Sequence, residues 1–253
     1  MGKIVFITGT DTGAGKTVLT GLLLAHLRRS GVSALAMKPF CTGSREDASL
    51  LFELNERALP IETVNPFYFS EPLAPMVAAR LARRRISFRE TIAKIRVLEK
   101  HCEVLLVEGI GGLFVPLGEK FMVRDLIARL RCPVILSARN AIGVINHVLL
   151  STSALRTVGK THITVVLMQR PDADVSARSN SSILREFLPG TKVFEIPPLS
   201  GDLRRPDVIR SQAGKCEEPL AKIAQAHALV RTELCAHGRG KHGRQRQKKG
   251  GKN

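Results

Sequence analysis

Three features of this 253-residue sequence predict an α/β fold in which a mostly parallel sheet is covered by helices on both faces. Six short aliphatic runs, each bounded by turn residues, read as strands buried on both sides. Helix-patterned segments alternate with them, which is the order that parallel strands joined by crossover helices require. Composition agrees, because 44% hydrophobic and 24% charged residues describe an ordinary globular chain with a real core, excluding a fibrous or largely disordered one.

The first strand is expected at Lys3 to Thr8, and helix Lys16 to Ser30 follows with Val18, Leu19, Leu22, Leu23 and Leu27 on one side. Strands are then expected at Ser33 to Lys38, Glu103 to Val107, Pro133 to Ser137, His162 to Met168 and Lys192 to Ile196. Helices are expected at Phe88 to His101, Val123 to Arg131, Gly143 to Val158 and Ser176 to Leu188. Thr63 to Pro75 carries Pro66, Pro72 and Pro75 and is expected to be a structured loop, with Phe67, Tyr68 and Phe69 anchoring it. From Arg204 onward the periodicity weakens. Residues 1–235 are taken as one domain and 236–253 as a basic, disordered tail, since the tail lacks apolar residues to offset its ordering entropy.

The charge is unusual: 39 Lys plus Arg against 22 Asp plus Glu give +17. The tail alone holds seven basic residues (Arg239, Lys241, Arg244, Arg246, Lys248, Lys249, Lys252) and no acidic one, so the rest carries +10. A basic chain suits a polyanionic partner, whether nucleic acid, anionic lipid or nucleotide phosphates. Five scattered cysteines (Cys41, Cys102, Cys132, Cys216, Cys235) suggest neither a disulfide framework nor a zinc site, and a reducing cytoplasm fits them. Ile4 to Ile7 is too short for the apolar part of a signal peptide, and no run approaches the roughly 18 apolar residues of a membrane span.

In a parallel sheet of this kind ligands sit at the carboxyl ends of strands. After the first strand comes Gly9-Thr-Asp-Thr-Gly-Ala-Gly-Lys-Thr17, opening directly into a helix. This is a P-loop in its required context, and it makes the fold P-loop NTPase-type. Backbone N–H groups can turn around phosphate oxygens, Lys16 can reach the β- and γ-phosphates, and the Thr17 hydroxyl can hold Mg²⁺. Five residues separate Gly9 from Gly15, one more than the strict pattern. Asp11 stands where partition and septum-placing ATPases carry a second lysine, which disfavours that subclass.

The second strand ends at Lys38, placed to neutralise a transferring phosphoryl group; a solvated surface lysine is the alternative. Asp47, nearby in sequence, could be no more than a helix cap. The third strand ends at Glu108-Gly-Ile-Gly-Gly112, where a carboxylate after four apolar residues is the usual Walker B arrangement. A buried structural Glu competes with this, but a metal would satisfy its charge.

Together these segments resemble the dethiobiotin synthetase family. The resemblance rests on G-T-D-T-x-x-G-K-T at Gly9 to Thr17, K-P-x-x-T-G-S at Lys38 to Ser44, T-V-N-P at Thr63 to Pro66, S-E-P-x-x-P at Ser70 to Pro75, V-E-G-x-G-G at Val107 to Gly112 and G-x-I-N-H at Gly143 to His147. It implies an ATP- and Mg²⁺-dependent ligase that closes the ureido ring of dethiobiotin from 7,8-diaminononanoate and CO2, through a carbamate and a carbamic-phosphoric anhydride. It also implies roles: Lys16, Lys38 and Thr12 catalytic; Thr17, Asp47 and Glu108 on the metal. Gly13, Ala14, Gly15, Lys16, Thr17, Val18, Asp47, Glu108, Gln169 and Pro198 would bind ATP. Thr42, Pro72 and Gly111 would border the diamine, and Gly143, Val144, Ile145 and Asn146 would receive its carboxylate from a partner subunit, implying a homodimer.

Gln169 stands where the family commonly has Asn to read adenine, with the same donor and acceptor on a longer stem. Gly13 replaces a frequent acidic residue. His147 is more simply a packing or capping residue than a base. Two other functions remain: an amide ligase of the cobyrinic acid diamide synthase type, for whose glutaminase domain there is no room after Leu199, and a nucleotide-dependent switch or nucleic-acid-binding ATPase, supported by the tail alone. The resemblance makes nucleic acid unnecessary to explain the body's charge.

Overall fold

The computed structural model describes residues 2–159 and 162–230; the basic tail and Cys235 lie outside them. β1 (Lys3–Gly9), α1 (Lys16–Arg29), β2 (Ala34–Met37), β3 (Phe40–Thr42) and α2 (Glu46–Leu54) open the chain. α3 (Ile61–Val64), β4 (Phe67–Phe69), α4 (Pro75–Leu81), α5 (Phe88–Glu99) and β5 (Val104–Glu108) follow. Next come β6 (Pro116–Gly118), β7 (Phe121–Met122), α6 (Val123–Leu130), β8 (Val134–Arg139), α7 (Val144–Thr157) and β9 (Ile163–Met168). A 3-10 turn at Val175–Arg178 leads to α8 (Asn180–Phe187), β10 (Lys192–Ile196), α9 (Pro206–Lys215) and α10 (Glu217–Ala226).

Six strands form one parallel sheet in the order β10-β9-β8-β1-β5-β2. The period of two along each strand sends successive side chains to opposite faces. Val5 and Ile7 join a core built with α1, α2, α9 and α10, while Ile4 and Phe6 join one built with α4, α5 and α6. α7 and α8 extend the second face over Leu136, Ala138, Val165 and Leu167. Both faces are covered, which is why the strands read as unbroken apolar runs. The mostly parallel P-loop NTPase-type architecture is therefore observed. β5 and β8 flank β1 on opposite sides, so the crevice at the carboxyl end of β1 opens where the P-loop begins.

Three sequence expectations need correction. The proline-rich segment is not all loop, because Phe67–Phe69 forms β4 and pairs in parallel with β3, and Pro75 opens α4. Phe67 stacks on Phe40, with centroids 5.0 Å apart, and the Tyr68 hydroxyl donates to the Gly43 carbonyl, so the aromatic anchoring is real. Beyond Arg204 the chain forms α9 and α10, whose Ile209, Ala213, Leu220, Ile223 and Ala224 are buried despite the weak periodicity. The edge strand β2 is completed by a side chain, since Asn55 accepts from the Ala36 N–H at 2.9 Å and donates to its carbonyl at 2.8 Å. Lastly, His147 is exposed and makes no cap hydrogen bond to α7, although its ring lies 3.9 Å from where a Cβ on Gly143 would stand.

Candidate active site

The P-loop turns through Gly13 and Gly15, the latter at φ 81°, a left-handed conformation that favours glycine. A Cβ at Gly15 would come within 2.9 Å of Met168, so glycine also lets the loop approach β9. Gly15 caps α1 without a side-chain hydrogen bond and the first turn has no acidic residue, which leaves the helix-terminal N–H groups free for an anion. The Lys16 ammonium, buried, donates to the Asp11 carbonyl at 2.8 Å. Burial, then repulsion from Lys38, holds its pKa down to about 8.

Lys38 is only 3% exposed, which removes the surface-lysine alternative. Its ammonium donates to Asp47 Oδ2 at 2.8 Å and to Glu108 Oε1 at 2.5 Å. Burial by itself would lower its pKa, but the two carboxylates outweigh that and raise it. Burial likewise works to raise the Asp47 pKa, and Lys38 overcomes it and holds the carboxyl below its usual range. Asp47 is not the α2 cap, since Arg45 occupies that position and the Ser44 hydroxyl accepts from the Glu46 N–H. Asn65 of the T-V-N-P segment anchors this centre by donating to the Lys38 carbonyl at 2.8 Å. Gly43, at φ 75°, lies where a Cβ would meet Pro72 at 2.9 Å, which brings the two flanking motifs together.

Glu108 is fully buried; Oε1 takes both Lys38 and the Thr17 hydroxyl, the latter at 2.6 Å, while Oε2 has no partner. A buried, unpartnered carboxylate oxygen is costly unless a cation meets it. Among the described residues no group of three His, Cys, Asp or Glu gathers to hold a metal unaided. Two carboxylates and a hydroxyl do fit Mg²⁺, which takes one or two carboxylates and completes its shell with water and phosphate oxygens.

One cavity of about 610 Å³ gathers Thr12, Gly13, Gly15, Lys16, Thr17, Val18, Lys38, Thr42, Asp47, Gly111 and Gln169. Ala14 sits beneath it, with its carbonyl accepting from Ser137, and Glu108 lies buried behind Thr17. Pro72 packs on Gly43 at the rim, Pro198 precedes the lining residue Leu199, and Gly143 to Asn146 open α7 outside the wall. Arg139 and Arg170 also line the cavity, and no motif in the sequence marks them. Their position was the available signal, for Arg139 ends β8 and Arg170 lies two residues after β9.

A family model described as an AAA domain matches residues 3–204. The chain is 42% identical over 174 residues to the ATP-dependent dethiobiotin synthetase BioD of Anaeromyxobacter sp. (strain Fw109-5), covering 67% of this chain and 78% of that protein. It is 34% identical over 211 residues to the ATP-dependent dethiobiotin synthetase BioD of Bacillus subtilis (strain 168), covering 81% and 90%. In fold it is similar to the MinC:MinD cell division protein complex of Aquifex aeolicus, with a TM-score of 0.57 at 12% identity over 93% of this chain and 100% of that one. A putative plasmid partition protein of Borrelia burgdorferi B31 gives 0.55 at 13% identity, covering 89% and 97%. The solved structures speak for the architecture, and the relatives, by their identity over most of both chains, for the family. This chain belongs to the ATP-dependent dethiobiotin synthetase family.

Proposed function

We propose that this chain converts 7,8-diaminononanoate and CO2 to dethiobiotin, with ATP going to ADP and phosphate, as a step of biotin synthesis. Beside family membership, one observation carries this reading: Lys16, Lys38, Thr17, Asp47 and Glu108 converge on one cavity at the carboxyl ends of β1, β2 and β5. Phosphoryl transfer asks for alignment and charge neutralisation more than covalent help, and that is what these groups provide.

The substrate amine captures CO2 as a carbamate, held by Thr12 and Lys38, and a carbamate oxygen attacks the γ-phosphate. The neighbouring amine then attacks the carbamoyl carbon; phosphate leaves and the ureido ring closes. Lys16 and the loop N–H groups of Gly13, Ala14 and Gly15 cradle the phosphates, with Val18, Gln169 and Pro198 along the nucleoside. Thr17, Asp47 and Glu108 would hold Mg²⁺, which supplies neutralisation of the phosphate oxygens when bound. Thr42, Gly111 and Pro72 border the diamine.

The substrate carboxylate is assigned to the α7 N-terminus, Gly143 to Asn146, of a second copy in a homodimer. Two features support this: α7 begins on Gly143 with no side-chain cap and no acidic first-turn residue, and Ile142, Val175 and Leu150 nearby are 82%, 79% and 62% exposed. Residues 1–235 act as one domain in the cytoplasm, with 236–253 as an appendage. Among the described residues no helix is long and apolar enough to cross a membrane.

Phosphate release from ATP is expected only when diaminononanoate and bicarbonate are both present; vigorous release without the diamine would sink the reading. Glu108→Gln is expected to cut turnover about 10³-fold and to shift the Mg²⁺ titration to higher concentration. An unchanged Mg²⁺ midpoint would remove Glu108 from the metal site.

A further inference from the structure

The nucleotide cavity contains one lining side-chain amide, Gln169, and that amide is held by a residue outside the wall. Gln169 extends the β9–β10 ladder, its N–H donating to the Ile196 carbonyl at 3.0 Å. Glu195 pairs with Leu167 in the strand register. Gln169, two residues beyond Leu167, therefore lies on the same face one diagonal step from Glu195. Its Nε2 donates to Glu195 Oε2 at 2.6 Å. The other carboxylate oxygen lies 3.9 Å from Arg185 Nη2, and that nitrogen also donates to the Val193 carbonyl at 3.1 Å.

An ionised carboxylate can only accept hydrogen bonds, so it decides which end of a neighbouring amide turns toward it. The NH₂ of Gln169 faces Glu195, and Oε1 is left for the cavity with the second N–H beside it. Turning the amide over would set a carbonyl oxygen against the carboxylate. Oε1 and one N–H together match the exocyclic amino group and ring nitrogen of adenine, the pairing that Gln makes with this base elsewhere. A base with a carbonyl at the same position would meet the acceptor Oε1 with a second acceptor.

We propose that Glu195 is a positioning residue for base selection: by fixing the orientation of the Gln169 amide it makes the site prefer a base with an exocyclic amino group over one with a carbonyl there. This rests on the reading of Gln169 as the base-facing residue. Without Glu195 the amide can present either end, and the preference should collapse even though Gln169 is still present. Glu195→Gln is the sharp variant, because a Gln at that position has the same shape but can donate as well as accept.

The test is the ratio of kcat/KM for ATP to kcat/KM for ITP, which has a carbonyl in place of the adenine amino group. Wild type, Glu195→Gln and Gln169→Ala are compared in the full reaction. Each ratio is its own control for folding, since a misfolded fraction lowers both values equally. Wild type is expected to favour ATP by about tenfold or more. Glu195→Gln should bring the ratio within about threefold of unity, and Gln169→Ala to about unity. If Glu195→Gln keeps the wild-type ratio while Gln169→Ala loses it, the role of Glu195 is overturned and the Gln169 reading stands. If wild type does not discriminate, or Gln169→Ala still does, the Gln169 reading fails and the inference falls with it.

Discussion

Lys38→Met is expected to lower turnover by about 10³-fold or more and to destabilise the protein by about 3–5 kcal/mol. The two effects share one cause. Lys38 is the cation between Asp47 and Glu108, and Glu108 is fully buried, so its removal leaves a buried carboxylate that has lost its ion-pair partner and keeps the Thr17 hydroxyl as hydrogen-bond donor. Breaking such a pair from one side costs far more than the pair contributes, because the remaining charge is stranded. The double variant Lys38→Met with Glu108→Gln should therefore recover much of the lost stability while remaining inactive. Since Lys38 titrates above an ordinary lysine in the folded protein, its stabilising contribution is complete below the unfolded pKa and is lost only as pH rises through the higher folded value. Chemical denaturation and single-turnover phosphate release check both halves; a single variant within tenfold of wild-type turnover would take Lys38 out of the transferring centre.

Lys16→Met is expected to abolish turnover and yet to raise the melting temperature of the ligand-free protein. Burial and the neighbouring Lys38 hold the Lys16 pKa at about 8 against an ordinary 10.5, so folding disfavours its charged form. At neutral pH the penalty is on the order of 3 kcal/mol, which a neutral side chain of similar length avoids. The unfolded chain binds more protons between these two pKa values, so ligand-free stability rises with pH from about 8 to about 10.5. ATP has the opposite preference, because its phosphates favour the ammonium. Affinity for ATP is expected to be full below pH 8 and to fall about tenfold per pH unit above it, read as kcat/KM for ATP against pH. A flat profile to pH 9.5, or a variant that melts below wild type, would contradict this account of Lys16.

Much of the sheet was legible because doubly buried parallel strands carry unbroken aliphatic runs, and each of the six lies within two residues of its expected ends. Lys38 and Glu108 were legible in place for a related reason, since they stand at or just after the ends of β2 and β5 where ligands collect, while Lys16 and Thr17 were marked by the glycine-rich loop that opens α1. The short β3–β4 ladder was hidden, as three-residue strands give no period to read. α9 was hidden because only Ile209 and Ala213 of its apolar residues are buried, and its place is set by packing on α1. Asp47 illustrates the same limit within the site. Its carboxylate meets Lys38 only because α2 folds back over β2, a contact between residues nine apart that no local pattern encodes. Asn65 belongs to a quoted motif, yet its hydrogen bond to the Lys38 carbonyl became visible only in three dimensions.

If the proposed reaction holds, a carbamate oxygen, rather than water, attacks the γ-phosphate in the cavity that Lys16 and Lys38 line. The most direct measurement supplies ¹⁸O-labelled CO2 with ATP and the diamine and analyses the phosphate before the label exchanges with solvent. The account predicts one labelled oxygen in each phosphate released, the other carbamate oxygen staying in the ureido product. Phosphate carrying solvent oxygen and no label would contradict it.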